Sequence, residues 1–196
     1  MRKSSKLLIA LALAGLTFPT LNGRETALKT NILYDATATV NLGIEQSVAP
    51  KWSLDLSANL NAWNMHKGAR WKHWLVQPEA RYWFCQSLDG HFLAMHALGG
   101  QYNVGHWTDG GIWGINSIEK FKHNRYQGWF VGAGVGYGYA WALSKHWNLE
   151  AEIAVGYMYT RYDTYECENC GRKISEDKDY HYVGPTKAAL SLVYVF

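Results

Sequence analysis

Beyond its first sixteen residues this chain has no long apolar run. A helical membrane protein, which needs spans of ~20 apolar residues, is therefore excluded. Proline is scarce, with four in 196 residues, and no Pro-, Gly- or Ser-rich stretch marks a linker or a second domain. Cysteine is scarce too: there are three, and the first is Cys85. No cysteine follows the N-terminal segment closely enough to take a lipid anchor. A surplus of either charge is also missing. The chain carries 19 Lys+Arg against 16 Asp+Glu. Three of those bases, Arg2, Lys3 and Lys6, sit at the extreme N-terminus, so the remainder is balanced and no nucleic-acid footprint is left.

That N-terminus has its own logic. A basic start is followed by apolar or small residues from Leu7 to Leu16, too few to span a bilayer. Charge, length and order fit a secretory signal peptide over residues 1–23, with the mature domain at 24–196.

The rest is rich in Trp, Tyr and Gly, and it alternates. Successive side chains of a strand point to opposite faces. At the C-terminus Leu190, Leu192, Tyr194 and Phe196 share one face, and Ala189, Ser191, Val193 and Val195 the other. The clearest segment is Trp52–Trp63, where Trp52, Leu54, Leu56, Ala58, Leu60 and Ala62 alternate with Ser53, Asp55, Ser57, Asn59 and Asn61. The spacing predicts eight strands: 26–35, 40–49, 52–63, 73–85, 91–104, 126–143, 147–162 and 186–196. Pro78 interrupts the fourth, because it lacks a ladder donor. The fifth alternates weakly. Connections around 50, 88 and 145 are short, and 64–72, 105–125 and 164–185 are long.

Short turns at one end and long loops at the other, with Trp and Tyr at both ends of the apolar stripes, fit an eight-stranded antiparallel transmembrane up-and-down β-barrel of the bacterial outer membrane. A soluble sandwich or lipocalin-like barrel would bury the apolar face instead. The aromatic C-terminal strand resembles the one that the barrel-assembly machinery reads in such proteins, which makes Phe196 the expected contact. Outer-membrane lipid is the other expected partner.

An eight-stranded barrel is just wide enough for its own side chains. Lys29, Glu45, Asp55, Glu79, Arg81, Glu150 and Glu152 are predicted to face inward and to pair, since unpaired buried charge is costly. The glycines of the sixth strand, Gly132, Gly134, Gly136 and Gly138, would leave them room. Such charges plug and stiffen a barrel rather than form a diffusion pore.

The loops hold the remaining chemistry. Cys167 and Cys170 form a C-x-x-C pair, expected as a local disulfide in an exported protein. A zinc site would need His181 with Asp163 or Glu166, and neither metal nor other cofactor is expected. Cys85 is expected as a buried thiol. Trp107, Trp113 and Phe121, with Ile112 and Ile115, offer a loop contact surface. His66, His73, His106, Asp109, Ser117 and His123 are the residue types a lipid-modifying enzyme would use, but their spacing does not bring nucleophile, base and orienter together. A structural or surface-interaction role is therefore expected ahead of an enzyme.

Leu28–Asp35, Asn41–Glu45, Lys51–Asp55, Trp71–Trp74, Gln77–Glu79, Arg81–Trp83 and Gly99–Asn103 resemble an uncharacterised family of Bacteroidota outer-membrane proteins, a domain of unknown function. The resemblance implies an outer-membrane barrel with an accessory role at the cell surface, in association with fimbrial systems. It implies no catalytic residues.

Overall fold

The structure, a computed structural model, describes residues 25–63, 70–105, 124–166 and 172–196. Eight strands follow one another: β1 (Thr26–Asn31), β2 (Val40–Ala49), β3 (Trp52–Asn61), β4 (Arg70–Trp83), β5 (Gly90–Gly105), β6 (Arg125–Ala142), β7 (Trp147–Tyr165) and β8 (Lys173–Val195). Each pairs antiparallel with the next, and β8 pairs back onto β1 from Ala27↔Val195 to Asn31↔Ser191, which closes the ring. One end, here the near end, holds the short turns and the first residue of β1; the far end holds the long connections.

Two faces result from the two-residue period of a strand. Outside lie Leu54, Leu56, Met95, Val135, Ile153 and Val183, with Ile153 71% and Val183 81% exposed. Inside lie Arg81 at 1% and Glu45 at 0%. The near end is floored by an apolar cluster of Ala27, Trp83, Leu88, Phe92, Ala94, Ala140 and Val193. Leu88 reaches it from the β4–β5 turn with φ +69°, a conformation that branched residues rarely adopt. Its burial and the bond from Asn148 Nδ2 to its carbonyl (2.8 Å) hold it there.

The wall is lopsided. β1 has six residues and β8 has 23. Where β1 was expected to run on to Asp35, the chain turns into a short helix, α1 (Ile32–Ala36). Asn31 makes that switch. Its Oδ1 accepts from Leu33 N (3.1 Å), capping the helix, and from Leu190 N (3.2 Å), satisfying the β8 edge that β1 abandons. Asn31→Ala is expected to cost about 1 kcal/mol, seen as an earlier midpoint in a urea titration of the folded protein.

Three further expectations are corrected. The segment 173–185, read as loop, belongs to β8, and Glu176, Asp177, Lys178 and Asp179 are strand residues. Pro78 does not demote its strand: it lies outward and exposed within β4, opposite Leu56. The β5 ladder resumes in the same register on either side of it, Val76↔Gly99 and Glu79↔His96. Cys85 is exposed, not buried, because β4 ends at Trp83 and the alternation that would turn Cys85 inward ends with it.

Candidate functional site

The seven charges read from the sequence all lie inside the ring and are all buried. Strand register explains why they must be paired. Glu45 stands opposite Asp55, and Asp55 opposite Glu79, so three carboxylates sit side by side across β2, β3 and β4. Like charges so placed repel.

Arg81 answers them from the middle. Its Nε donates to Glu79 (2.5 Å), Nη1 to Glu45 (3.0 Å) and Glu150 (2.8 Å), and Nη2 to Glu152 (2.8 Å). The planar fork of guanidinium donors suits several carboxylates at once, which an ammonium cannot match. Lys29 joins Glu45, Glu150 (3.2 Å) and Asp55 (3.3 Å) from the other side. Beneath the cluster Arg81 lies over the Phe92 ring at 4.5 Å, and Trp83 donates to Ser53, which donates in turn to Glu45.

Two members escaped the sequence reading. Lys187 bonds Glu79 (2.7 Å) and Glu152 (2.9 Å), and His96 places Nδ1 3.8 Å from Glu79 and Nε2 3.0 Å from Thr186. A bulge brings Lys187 and Thr186 in together. The β7–β8 register shifts between Ala154↔Lys187 and Val155↔Pro185, so Thr186 is an extra residue and both neighbours turn inward. The glycines of β6 make the space. A Cβ on Gly134 would meet Thr186 Oγ1 at 2.8 Å and His96 Cε1 at 2.9 Å, and one on Gly136 would meet Glu152 Oε1 at 3.0 Å. With three cations against five carboxylates, tightly bonded and walled off below by the apolar floor, the cluster is suited to holding the ring together.

Toward the far end the packing opens into a cavity of about 480 Å³. Strands β3 to β8 all contribute to its wall, with Asn61, His73, Tyr102, Gln127, Trp129 and Tyr162 among the lining residues. Tyr102 is bonded to Thr160 (2.9 Å), and Trp74 donates to Gln101 (3.2 Å). At the rim the β7–β8 extension is braced by ion pairs: Arg161 with Asp179 (2.9 Å) and Lys173 with Asp163 (3.1 Å). The backbone N–H of Asp177, then Lys173, holds the Asp163 carboxyl below its usual range, and Arg161 and Tyr159 do the same for Asp179. These contacts stabilise the extension above the ordinary carboxylate range and are lost as pH falls through the lowered values.

Of the other candidates, Cys167, Cys170, Trp107, Trp113, Phe121, Ile112, Ile115, His66, His106, Asp109, Ser117 and His123 lie outside the described residues. His73 lines the cavity, and His181 sits on the outer face bonded to Tyr157. Among the described residues no cluster of three or more His, Cys, Asp or Glu has metal-holding geometry.

Fold and site together define an all-β, up-and-down ring with an ionic interior. The chain belongs to the family described as Protein of unknown function (DUF3575), whose profile matches residues 7–196. No curated protein and no solved structure gives a significant match.

Proposed function

We propose that this chain is a membrane-embedded barrel of a Gram-negative outer membrane, delivered by a leader over 1–23. It is a filled scaffold that presents its far end as a contact surface. The observation that carries this reading is the inverted distribution of polarity: buried charge inside, and outside an apolar band between two aromatic rings. Trp52, Phe84, Tyr137, Trp141, Trp147 and Phe196 mark the near end, and Trp63, Trp74, Trp129, Tyr157 and Tyr180 the far end, all exposed. Such girdles are what membrane interfaces select. Trp129 and Trp141 are twelve positions apart on β6. At ~3.3 Å per residue and a tilt of ~40° that separation is about 30 Å along the axis, enough for the apolar band of an outer-membrane barrel. Among the described residues no helix is long and apolar enough to cross a membrane, so strands would do the crossing.

A scaffold rather than a pore follows from the floor. Trp83 and Phe92 are 0% exposed and Val193 1%, and Arg81 with its carboxylates fills the level above. Phe196 lies on the outer face against Tyr194, with ring centroids 5.1 Å apart, where assembly factors would read it.

Sidedness tests the reading. Cys85, exposed beside the near end, is a natural probe, and Ser175→Cys places a second on the far-end extension. In a background with Cys167 and Cys170 replaced by serine, an impermeant maleimide should label Ser175→Cys on intact cells. It should label Cys85 only after permeabilisation. The reverse pattern, or recovery of the protein in the soluble fraction, would sink the proposal.

A further inference from the structure

The far-end cavity has a chemistry of its own. Its volume, about 480 Å³, lies within the range of ~300–1,000 Å³ that small-ligand sites occupy. Its composition excludes most ligand classes in turn. Leu60 and Ala62 are the only aliphatic residues among the described lining, so little favours a lipid chain. The lining charges balance, with Lys72 and Arg161 against Asp163 and Asp177. Arg161 and Asp163 are already engaged in the ion pairs of the rim. No net field selects an anion or a cation.

What remains is dense in neutral polar and aromatic groups. Asn61, Gln101, Asn103 and Gln127 carry amides, each with donors and an acceptor on one planar group. That arrangement complements adjacent hydroxyls, which donate and accept side by side. Tyr102, Tyr162 and Trp129 add flat rings on which the C–H face of a sugar ring packs. The Gln127 amide makes no hydrogen bond to any other described residue, so it is free to bond a ligand.

The geometry points to a saccharide site: the far-end cavity binds a neutral mono- or disaccharide unit through these amides and rings. The inference rests on the far end being the contact end, and it names the class of molecule contacted. One sugar unit could come free from solution or as part of a surface polysaccharide, and both share this chemistry.

The test uses the full-length protein purified in an amine-oxide detergent, since glycosidic detergents would compete. Calorimetric titration with a panel of neutral mono- and disaccharides, and separately with a delipidated neutral polysaccharide, should show saturable binding of at least one probe. Binding of the small sugars would mark a free ligand as sufficient, and binding of the polysaccharide alone would mark a chain-borne one. Gln127→Ala should weaken binding at least tenfold while leaving the unfolding midpoint unchanged. Tyr102→Phe, which removes one hydroxyl and keeps the ring, should weaken it severalfold. Absence of saturable binding to any probe would overturn the inference. So would binding that both variants leave untouched, or a preference for a sugar phosphate over its neutral parent. None of these failures bears on membrane embedding, which the maleimide pattern decides separately.

Discussion

Arg81→Leu is expected to be the most damaging single substitution in the interior. The guanidinium bonds four carboxylates, Glu45, Glu79, Glu150 and Glu152, and is 1% exposed. Without it five buried carboxylates face only Lys29 and Lys187. Removing one partner of a buried ionic network costs ~3–5 kcal/mol, because the surviving charges stay desolvated and unpaired. Against a typical stability of ~5–15 kcal/mol that loss is large. The folded band on an unheated denaturing gel should vanish or melt at much lower temperature. Arg81→Lys keeps the charge but loses the fork, and should cost less, about 1.5–3 kcal/mol. Adding Glu79→Gln and Glu152→Gln to Arg81→Leu should recover part of the loss, since these contacts are coupled and removing charge from the far side relieves the repulsion. A triple variant no more stable than Arg81→Leu would show that the cluster acts through shape rather than charge.

Much of this architecture is legible in the sequence because the period of a strand is short and unforgiving. Six predicted strands, β2 through β7, overlap the observed ones closely. Alternation assigns Lys29, Glu45, Asp55, Glu79, Arg81, Glu150 and Glu152 to one face without any knowledge of partners. What it cannot supply is register. Nothing local reveals that Glu45, Asp55 and Glu79 lie abreast, so the need for a multidentate cation at Arg81 appears only in three dimensions.

The misses have physical causes. Lys187 lies on the same parity as Ala189, Ser191 and Val193, and that parity was the available signal. The Thr186 bulge then shifts the phase, and Gly184-Pro185 imitates a turn, so the upper half of β8 reads as loop. His96 is hidden because β5 lines both the apolar floor, through Phe92 and Ala94, and the ionic level above it. A strand that serves two interiors shows no single polarity contrast. α1 is five residues long, too short for a 3.6-residue period to emerge against the alternating pattern before it.

The glycine-rich face of β6 leads to the second large effect, and to a contrast in sign. A Cβ on Gly138 would lie 2.2 Å from Phe92 Cζ and 2.6 Å from Cε1, with the Ala151 carbonyl oxygen at 2.8 Å. Phe92 has nowhere to retreat: it is 0% exposed, 4.6 Å from the Trp83 ring and 4.5 Å below the Arg81 guanidinium. Gly138→Ala should therefore cost about 1–3 kcal/mol by overpacking, and Gly138→Val more, because strain on Phe92 passes directly to the charge cluster. Phe92→Leu should relieve the clash, so the double variant should be more stable than the sum of the single losses allows. Gly43 predicts the opposite outcome on a neighbouring wall. Its added Cβ would meet Lys29 Cβ at 3.4 Å and Ser57 Cβ at 3.6 Å, ordinary contacts. Alanine there also removes the entropic penalty of a mid-strand glycine, so Gly43→Ala should be neutral or stabilising by up to ~1 kcal/mol. Equal losses at the two positions in guanidinium unfolding would mean that glycine serves backbone freedom at both. Unequal ones, in the order given, identify Gly138 as the space the ionic interior is built around.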